Sequence, residues 1–253
     1  MKKRRLFSLF LSFALLLPLF SLTSADAYED FTLDAKAGLL IEADTGEILY
    51  EKNAHQENFP ASLTKVMVAL LVFEAIDEGK IALTDSVTAT ESAFEGLSSD
   101  GSTANIVPGE TMTVEQLLNC MLIVSANEAC NILGETLYGS VDAFVARMNE
   151  RAAELGCEHT HFANATGLHN SQHYTTAWDL YLITREALKH DKFMEICNSK
   201  SYTVPATNMT DKPRELHSTN FLISNWRARG YVYRDAQGIK TGSFRPPCAA
   251  AAT

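Results

Sequence analysis

Residues 62–79 read Ser-Leu-Thr-Lys-Val-Met-Val-Ala-Leu-Leu-Val-Phe-Glu-Ala-Ile-Asp-Glu-Gly, and this stretch decides the fold. Val66, Ala69, Leu70, Phe73 and Ile76 recur at helical spacing and Gly79 supplies a stop, so the pattern predicts a largely buried helix from Ser62 to Glu78. A buried helix needs layers around it. On its N-terminal side, residues 38–51 are two β-prone runs joined by Asp44-Thr45-Gly46, where glycine accepts φ > 0, so an antiparallel hairpin is expected. On its C-terminal side, residues 113–189 read as mostly helical. The clearest case runs from a Ser140 N-cap to a Gly156 stop, with Val141, Phe144, Val145, Met148, Ala152 and Leu155 on one face. The β signals return at 202–204, 230–233 and 238–241. Strands at both ends with helices between them predict an α+β fold with one mixed sheet and an inserted helical lobe.

The chain has 253 residues, 46% hydrophobic and 21% charged, with a formal net charge of −10. That composition excludes a disordered or collagen-like chain, and the length suffices for a core that needs no disulfide scaffold. The acidic balance argues against a partner bound through nucleic-acid phosphates. Lys2-Lys3-Arg4-Arg5, the apolar run Leu6 to Phe20 and the small-residue pattern Ala25-Asp26-Ala27 read as a secretory signal over residues 1–27. Its removal takes away four cations and one anion and leaves −13 on residues 28–253. The expected location is extracytoplasmic, in the periplasm or on the cell-wall side of the membrane. Cys120, Cys130, Cys157, Cys197 and Cys248 are odd in number and lack C-x-x-C spacing, so they read as buried or incidental thiols. No cysteine closely follows the signal's apolar run, so no lipid anchor is expected.

Three short patterns occur in order: Ser62-Leu63-Thr64-Lys65, Ser125-Ala126-Asn127 and Lys240-Thr241-Gly242. All three in this order arise by chance in under about 1% of chains of this length. Serine three residues before lysine at a helix start puts both side chains on one face. A serine hydroxyl is a poor nucleophile until something takes its proton, and lysine does so only when burial or a nearby cation lowers its pKa. Lys240 is the candidate for that second cation. Ser125 is placed between the lysines as a proton relay, and Asn127 holds the substrate amide or Lys65. An edge strand at Lys240-Thr241-Gly242 would pair with an extended peptide, Gly242 allowing its close approach. The backbone N–H groups of Ser62 and Ser243 are the expected oxyanion donors.

Read together, the three motifs resemble those of penicillin-binding proteins and serine β-lactamases. The finer resemblance is to the low-molecular-mass serine D-alanyl-D-alanine carboxypeptidases, peptidase family S11. It is carried by Pro60 to Lys65, Leu122 to Ala129, Phe162 to His169 and His173 to Ala177, and it spans roughly residues 30–243. The resemblance implies a β-lactamase/transpeptidase-like fold, with an antiparallel sheet flanked by helices and an all-α lobe. It implies removal of the terminal D-Ala from peptidoglycan stem peptides through an acyl-enzyme on Ser62, with Lys65 and Ser125 as its catalytic partners. Asn127, Lys240, Thr241, Gly242 and Ser243 would bind substrate. β-Lactams would act as acylating inhibitors, and no metal or organic cofactor is implied.

Two other enzyme readings compete. A class A β-lactamase needs a Glu-x-x-Leu-Asn segment after S-x-N, whereas Glu115-Gln116-Leu117-Leu118-Asn119 precedes it, so Glu115 reads as part of a surface helix turn. A metallohydrolase would use His159, His161, His169 and His173, but no H-E-x-x-H accompanies them, and they read as surface or loop-packing residues. A non-catalytic binder of penicillin or wall peptide shares all three motifs. After Ser243 the chain departs from the family pattern. Phe244-Arg245-Pro246-Pro247-Cys248 places two prolines where a central strand is expected, so a chain truncated after K-T-G, a sheet incomplete at its C-terminus and no terminal membrane anchor are anticipated.

Overall fold

A computed structural model describes residues 33–243. Residues 1–27, read above as a signal, and the Pro246-Pro247 stretch therefore lie outside the described residues. The described residues from Lys36 onward belong to one compact unit. The apolar helix at the centre, α1 (Lys65–Asp77), is buried on every side from Val66 through Phe73. A helix that is apolar all round belongs inside a core. It packs against α2 (Val114–Ile123), α3 (Asn127–Tyr138), α4 (Val141–Glu154) and α5 (Ala177–Ala187), and α6 (Asp191–Cys197) closes on α2. Its end follows the sequence: Gly79 takes φ +70°, and Lys80 N–H returns to the Ala75 carbonyl. Its start is different from the expectation. Residues Ala61–Thr64 form a 3₁₀ turn, and the α-helix begins only at Lys65. Ser62 and Lys65 still share a face, because side chains three apart eclipse in a 3₁₀ turn.

The remaining helices follow their local signals. Ser140 caps α4 by accepting from Ala143 N–H at 3.1 Å, and Phe144, Met148 and Ala152 form its buried face. Thr113 and Gln116 form a reciprocal capping box on α2. Between α4 and α5, residues 155–176 are not helical. They fold as an ordered loop tied by isolated bridges from His161 to Tyr174 and from Asn58 to Thr175.

The expected single mixed sheet does not form. Among the described residues there are three separate antiparallel pairs: β1 (Gly38–Ile41) with β2 (Ile48–Lys52), β3 (Ser86–Thr88) with β4 (Thr111–Thr113), and β5 (Ser201–Val204) with β6 (Arg214–His217). The α+β class and the antiparallel pairing stand. The β1–β2 turn is built as predicted, with Gly46 at φ +76° and the Glu42 carboxylate accepting from Thr45 N–H. Residues 230–233 and 238–241 are not strands. Around Gly238 the groups a ladder would use are bound elsewhere: its N–H donates to Asn198 Oδ1 at 2.7 Å and its carbonyl accepts from Asn220 Nδ2 at 2.5 Å. β-Propensity alone does not make a strand without a partner backbone.

Cys120, Cys130, Cys157 and Cys197 are free and buried, as read from the sequence, while Cys248 lies outside the described residues. Burial pushes the Cys130 thiol up to about 11 and those of Cys157 and Cys197 up to about 12, so they stay protonated near neutral pH.

Candidate active site

Lys65 is the first residue of α1 and is fully enclosed, with 0% of its surface exposed. Its ammonium has three partners: Ser62 Oγ at 3.3 Å, Asn127 Oδ1 at 2.8 Å and the Thr166 carbonyl at 2.6 Å. Burial drives its pKa below the usual lysine value, while the nearby Glu128 carboxylate pulls the other way. Two of the three partners, an amide oxygen and a carbonyl, can only accept. They hold two of the amine's protons, so when Lys65 is neutral its lone pair is left facing the Ser62 hydroxyl.

Each partner is positioned by a different element. Asn127 begins α3, its N–H bonded to the Ser102 carbonyl at 2.9 Å and its side-chain amide lying against Gly101. A Cβ on Gly101 would approach that amide nitrogen to 2.7 Å, so a side chain there would displace the Asn127 amide. Ser125 and Asn127 do not cap α3, whose N-cap is Ala126 with no side-chain bond. Ser125 is buried with φ +68°, and its Oγ has no hydrogen-bond partner among the described residues. An unpartnered buried hydroxyl is costly and points to a role beyond packing.

The Thr166 carbonyl belongs to the loop between α4 and α5. There Asn164 Oδ1 accepts from Thr166 N–H, Thr166 Oγ1 and Gly167 N–H at 2.8–3.1 Å, and Asn164 Nδ2 donates to the Leu168 carbonyl at 2.9 Å. Gly167, at φ +83°, lies directly on the Ala61 carbonyl, and a Cβ there would overlap that carbonyl. Sequence reasoning assigned no role to Asn164, Thr166 or Gly167. The Asx-turn chemistry of Asn-Ala-Thr-Gly was a legible signal for the loop, though not for its target.

The K-T-G residues arrive without a strand. Lys240 is half-buried and donates to the Thr241 carbonyl at 2.9 Å. Burial first, and then repulsion from the Lys65 ammonium, brings its pKa down to about 7. The repulsion between the two lysines lowers the Lys240 pKa, whereas the lowering at Lys65 comes from burial. Thr241 Oγ1 lies 2.7 Å from Thr219 Oγ1. Gly242 fits against α1's entrance, where a Cβ would meet Leu63 Cγ at 3.1 Å and the Pro60 carbonyl at 3.2 Å. Ser243 is exposed at the edge of the described residues.

The four histidines are dispersed. His159 lies 3.3 Å from Glu57, His161 bonds the Gln172 carbonyl, His169 meets the edge of Phe59, and His173 is buried against Thr64. No group of His, Cys, Asp or Glu suited to a metal ion occurs among the described residues. Glu115, in the first turn of α2, pairs with Lys192 at 2.7 Å as a half-exposed ion pair, in keeping with a surface helix turn. No described helix is long and apolar enough to cross a membrane.

Comparison with known proteins follows the same lines. The D-alanyl-D-alanine carboxypeptidase family, peptidase S11, matches residues 23–245. A D-alanyl-D-alanine carboxypeptidase of Bacillus subtilis is 39% identical over 209 residues, covering 83% of this chain and 51% of that protein. One from Escherichia coli is 32% identical over 201 residues, covering 78% of this chain and 50% of that protein. This chain thus spans about half the length of these curated relatives. Among solved structures, the Streptomyces K15 DD-transpeptidase superposes with a TM-score of 0.75 at 30% identity, covering 86% of this chain and 83% of that one. Penicillin-binding protein 5 of Haemophilus influenzae superposes with a TM-score of 0.70 at 29% identity, covering 78% of this chain and 55% of that one.

Proposed function

Because this chain belongs to the D-alanyl-D-alanine carboxypeptidase family, we propose that it removes the terminal D-Ala from peptidoglycan stem peptides through an acyl-enzyme on Ser62. The observation that carries this is Lys65, buried, held by two obligate acceptors and turned toward Ser62 Oγ. Neutral Lys65 takes the Ser62 proton as Oγ attacks the carbonyl of the D-Ala-D-Ala bond. The N–H of Ser62, near the open end of the 3₁₀ turn where backbone donors have no intrahelical acceptor, and that of Ser243 receive the developing oxyanion. Ser125 passes the proton to the leaving amine, and D-Ala departs. Water then attacks the Ser62 ester, with Lys65 again taking the proton, and the shortened peptide leaves.

Lys240 as a cation, with Thr241, Gly242 and Ser243, holds the substrate's terminal carboxylate and backbone, while Asn127 orients its amide. β-Lactams acylate the same serine. Residues 1–27 direct export, so the reaction occurs outside the cytoplasm. The β-lactamase alternative is not favoured, since Glu115 is committed to Lys192.

Intact-mass spectrometry of the purified chain after exposure to a penicillin, with S62A as control, tests this reading. The expected result is one adduct that the S62A change removes, accompanied by D-Ala release from a D-Ala-D-Ala peptide. An adduct that forms without D-Ala release would mark a non-catalytic binder. A folded chain that takes no adduct would overturn the serine acyl-enzyme.

A further inference from the structure

One buried histidine stands outside the mechanism just described yet touches its framework. His173 is 2% exposed, and its segment is pinned on both sides: Tyr174 bridges to His161, and Thr175 exchanges backbone bonds with Asn58 at 2.8 and 3.0 Å. Its ring packs edge-on against Phe162. Its two nitrogens have distinct partners. Ala163 N–H donates to Nδ1 at 3.1 Å, so Nδ1 is an acceptor and Nε2 carries the proton of the neutral ring. Nε2 lies 2.8 Å from Thr64 Oγ1, and Thr64 Oγ1 lies 2.8 Å from the Ala61 carbonyl.

These contacts admit one direction of donation. Nε2–H gives its proton to Thr64 Oγ1, and the single Thr64 hydroxyl proton is then left for the Ala61 carbonyl. Ala61 needs such a tie. It sits at φ +48°, a conformation that costs an alanine roughly 1–3 kcal/mol, and it immediately precedes Ser62. The same carbonyl lies close to Gly167, where an added Cβ would overlap it.

We propose that His173 is a positioning residue for the nucleophile: through Thr64 it fixes the Ala61 carbonyl and so locks the strained turn that aims Ser62 Oγ at Lys65. It touches neither substrate nor the reacting atoms. Burial, together with the positive charge of Lys65 and neighbouring His161, holds its pKa down to about 4, which keeps the donor–acceptor order intact at neutral pH. The inference rests on Ser62 being the acylated serine.

Two substitutions separate this role from simple packing. H173N retains an acceptor near the Nδ1 position for Ala163 N–H and removes the donor to Thr64. T64V keeps the volume of Thr64 and removes its hydroxyl. The readouts are the rate of penicillin acylation at saturation, the penicillin concentration for half-maximal rate, and amide hydrogen exchange across residues 60–65. Each single change should slow saturated acylation about 30-fold with little change in half-saturation, the double change should be no slower than either alone, and T64S should restore the rate to within about 3-fold. Acylation within about 3-fold of the unsubstituted chain in both single variants, or losses that multiply in the double, would overturn the proposal. If the unsubstituted chain takes no penicillin, the Ser62 reading fails by itself. Hydrogen exchange then still decides the positioning role: faster exchange confined to residues 60–65 in both variants supports it, and unchanged exchange there refutes it.

Discussion

The two lysines of the site are held in contrasting ways. Lys65 opens a helix buried on all sides and has three partners from three elements, α3, the 3₁₀ turn and the loop before α5. Lys240 lies in an irregular stretch, half-buried, and among the described residues its ammonium bonds only the carbonyl of its own neighbour Thr241. Both have depressed pKa values because both are desolvated, but only Lys65 is oriented by its surroundings. Burial alone tunes a charge, whereas a fixed direction requires partners from several packed elements.

This contrast makes the largest expected effect the loss of Lys65. K65M should lower saturated acylation by about 10³-fold with the chain still folded, the ordinary worth of a general base. A drop of less than about tenfold in stopped-flow acylation would mean that Lys65 is not the base. Next comes Gly167, whose Cβ would overlap the Ala61 carbonyl at a φ that alanine resists. G167A should cost roughly 3 kcal/mol or more in urea unfolding, because both the clash and the strain fall on one backbone contact. On the other side of the comparison, a Cβ on Gly242 meets Leu63 and Pro60 at 3.1–3.2 Å, where a small shift suffices. G242A should cost only about 1 kcal/mol, and equal losses for the two glycines would erase the contrast.

Acid dependence sharpens it from another direction. His173 has its folded pKa lowered to about 4 from 6.5. The unfolded chain therefore binds the extra proton between those values, and the native state loses stability as pH falls from about 6.5 to about 4, by up to about 3 kcal/mol, and no further below that for this group. In H173N this share of the acid slope should vanish, which unfolding curves at pH 7, 5.5 and 4.5 would show. The smallest expected effect belongs to Lys240. With a pKa near 7 it loses its charge as pH rises through neutrality, so carboxylate binding should weaken there. K240R stays protonated and should move that alkaline limb of kcat/KM upward. A limb that stays in place would remove Lys240 from carboxylate recognition.

Much of the molecule was legible locally. The 66–73 apolar run, the Ser140 cap and the Asp44-Thr45-Gly46 turn carry their own structural instructions in neighbouring residues, and each forms as read, with the first turn of α1 tightened to 3₁₀. Ser62 and Lys65 were legible for the same reason, since three residues on one turn need no knowledge of the rest of the fold. Asn127 was legible by motif and meets Lys65 as expected. What was not legible depends on partners distant in sequence. The 230–233 and 238–241 segments have strand composition but no paired backbone, and Asn198 and Asn220 take the groups of Gly238 instead.

By itself, then, the sequence determined the elements whose hydrogen bonds close within a few residues, and the identity and order of the chemical groups. Only the tertiary structure decided that the Thr166 carbonyl completes the Lys65 shell, that Gly167 must lack a side chain, and that His173 reaches Thr64 across 109 positions. Those contacts join segments through the packed core, where a carbonyl or an imidazole gains its meaning from what it faces rather than from its neighbours along the chain.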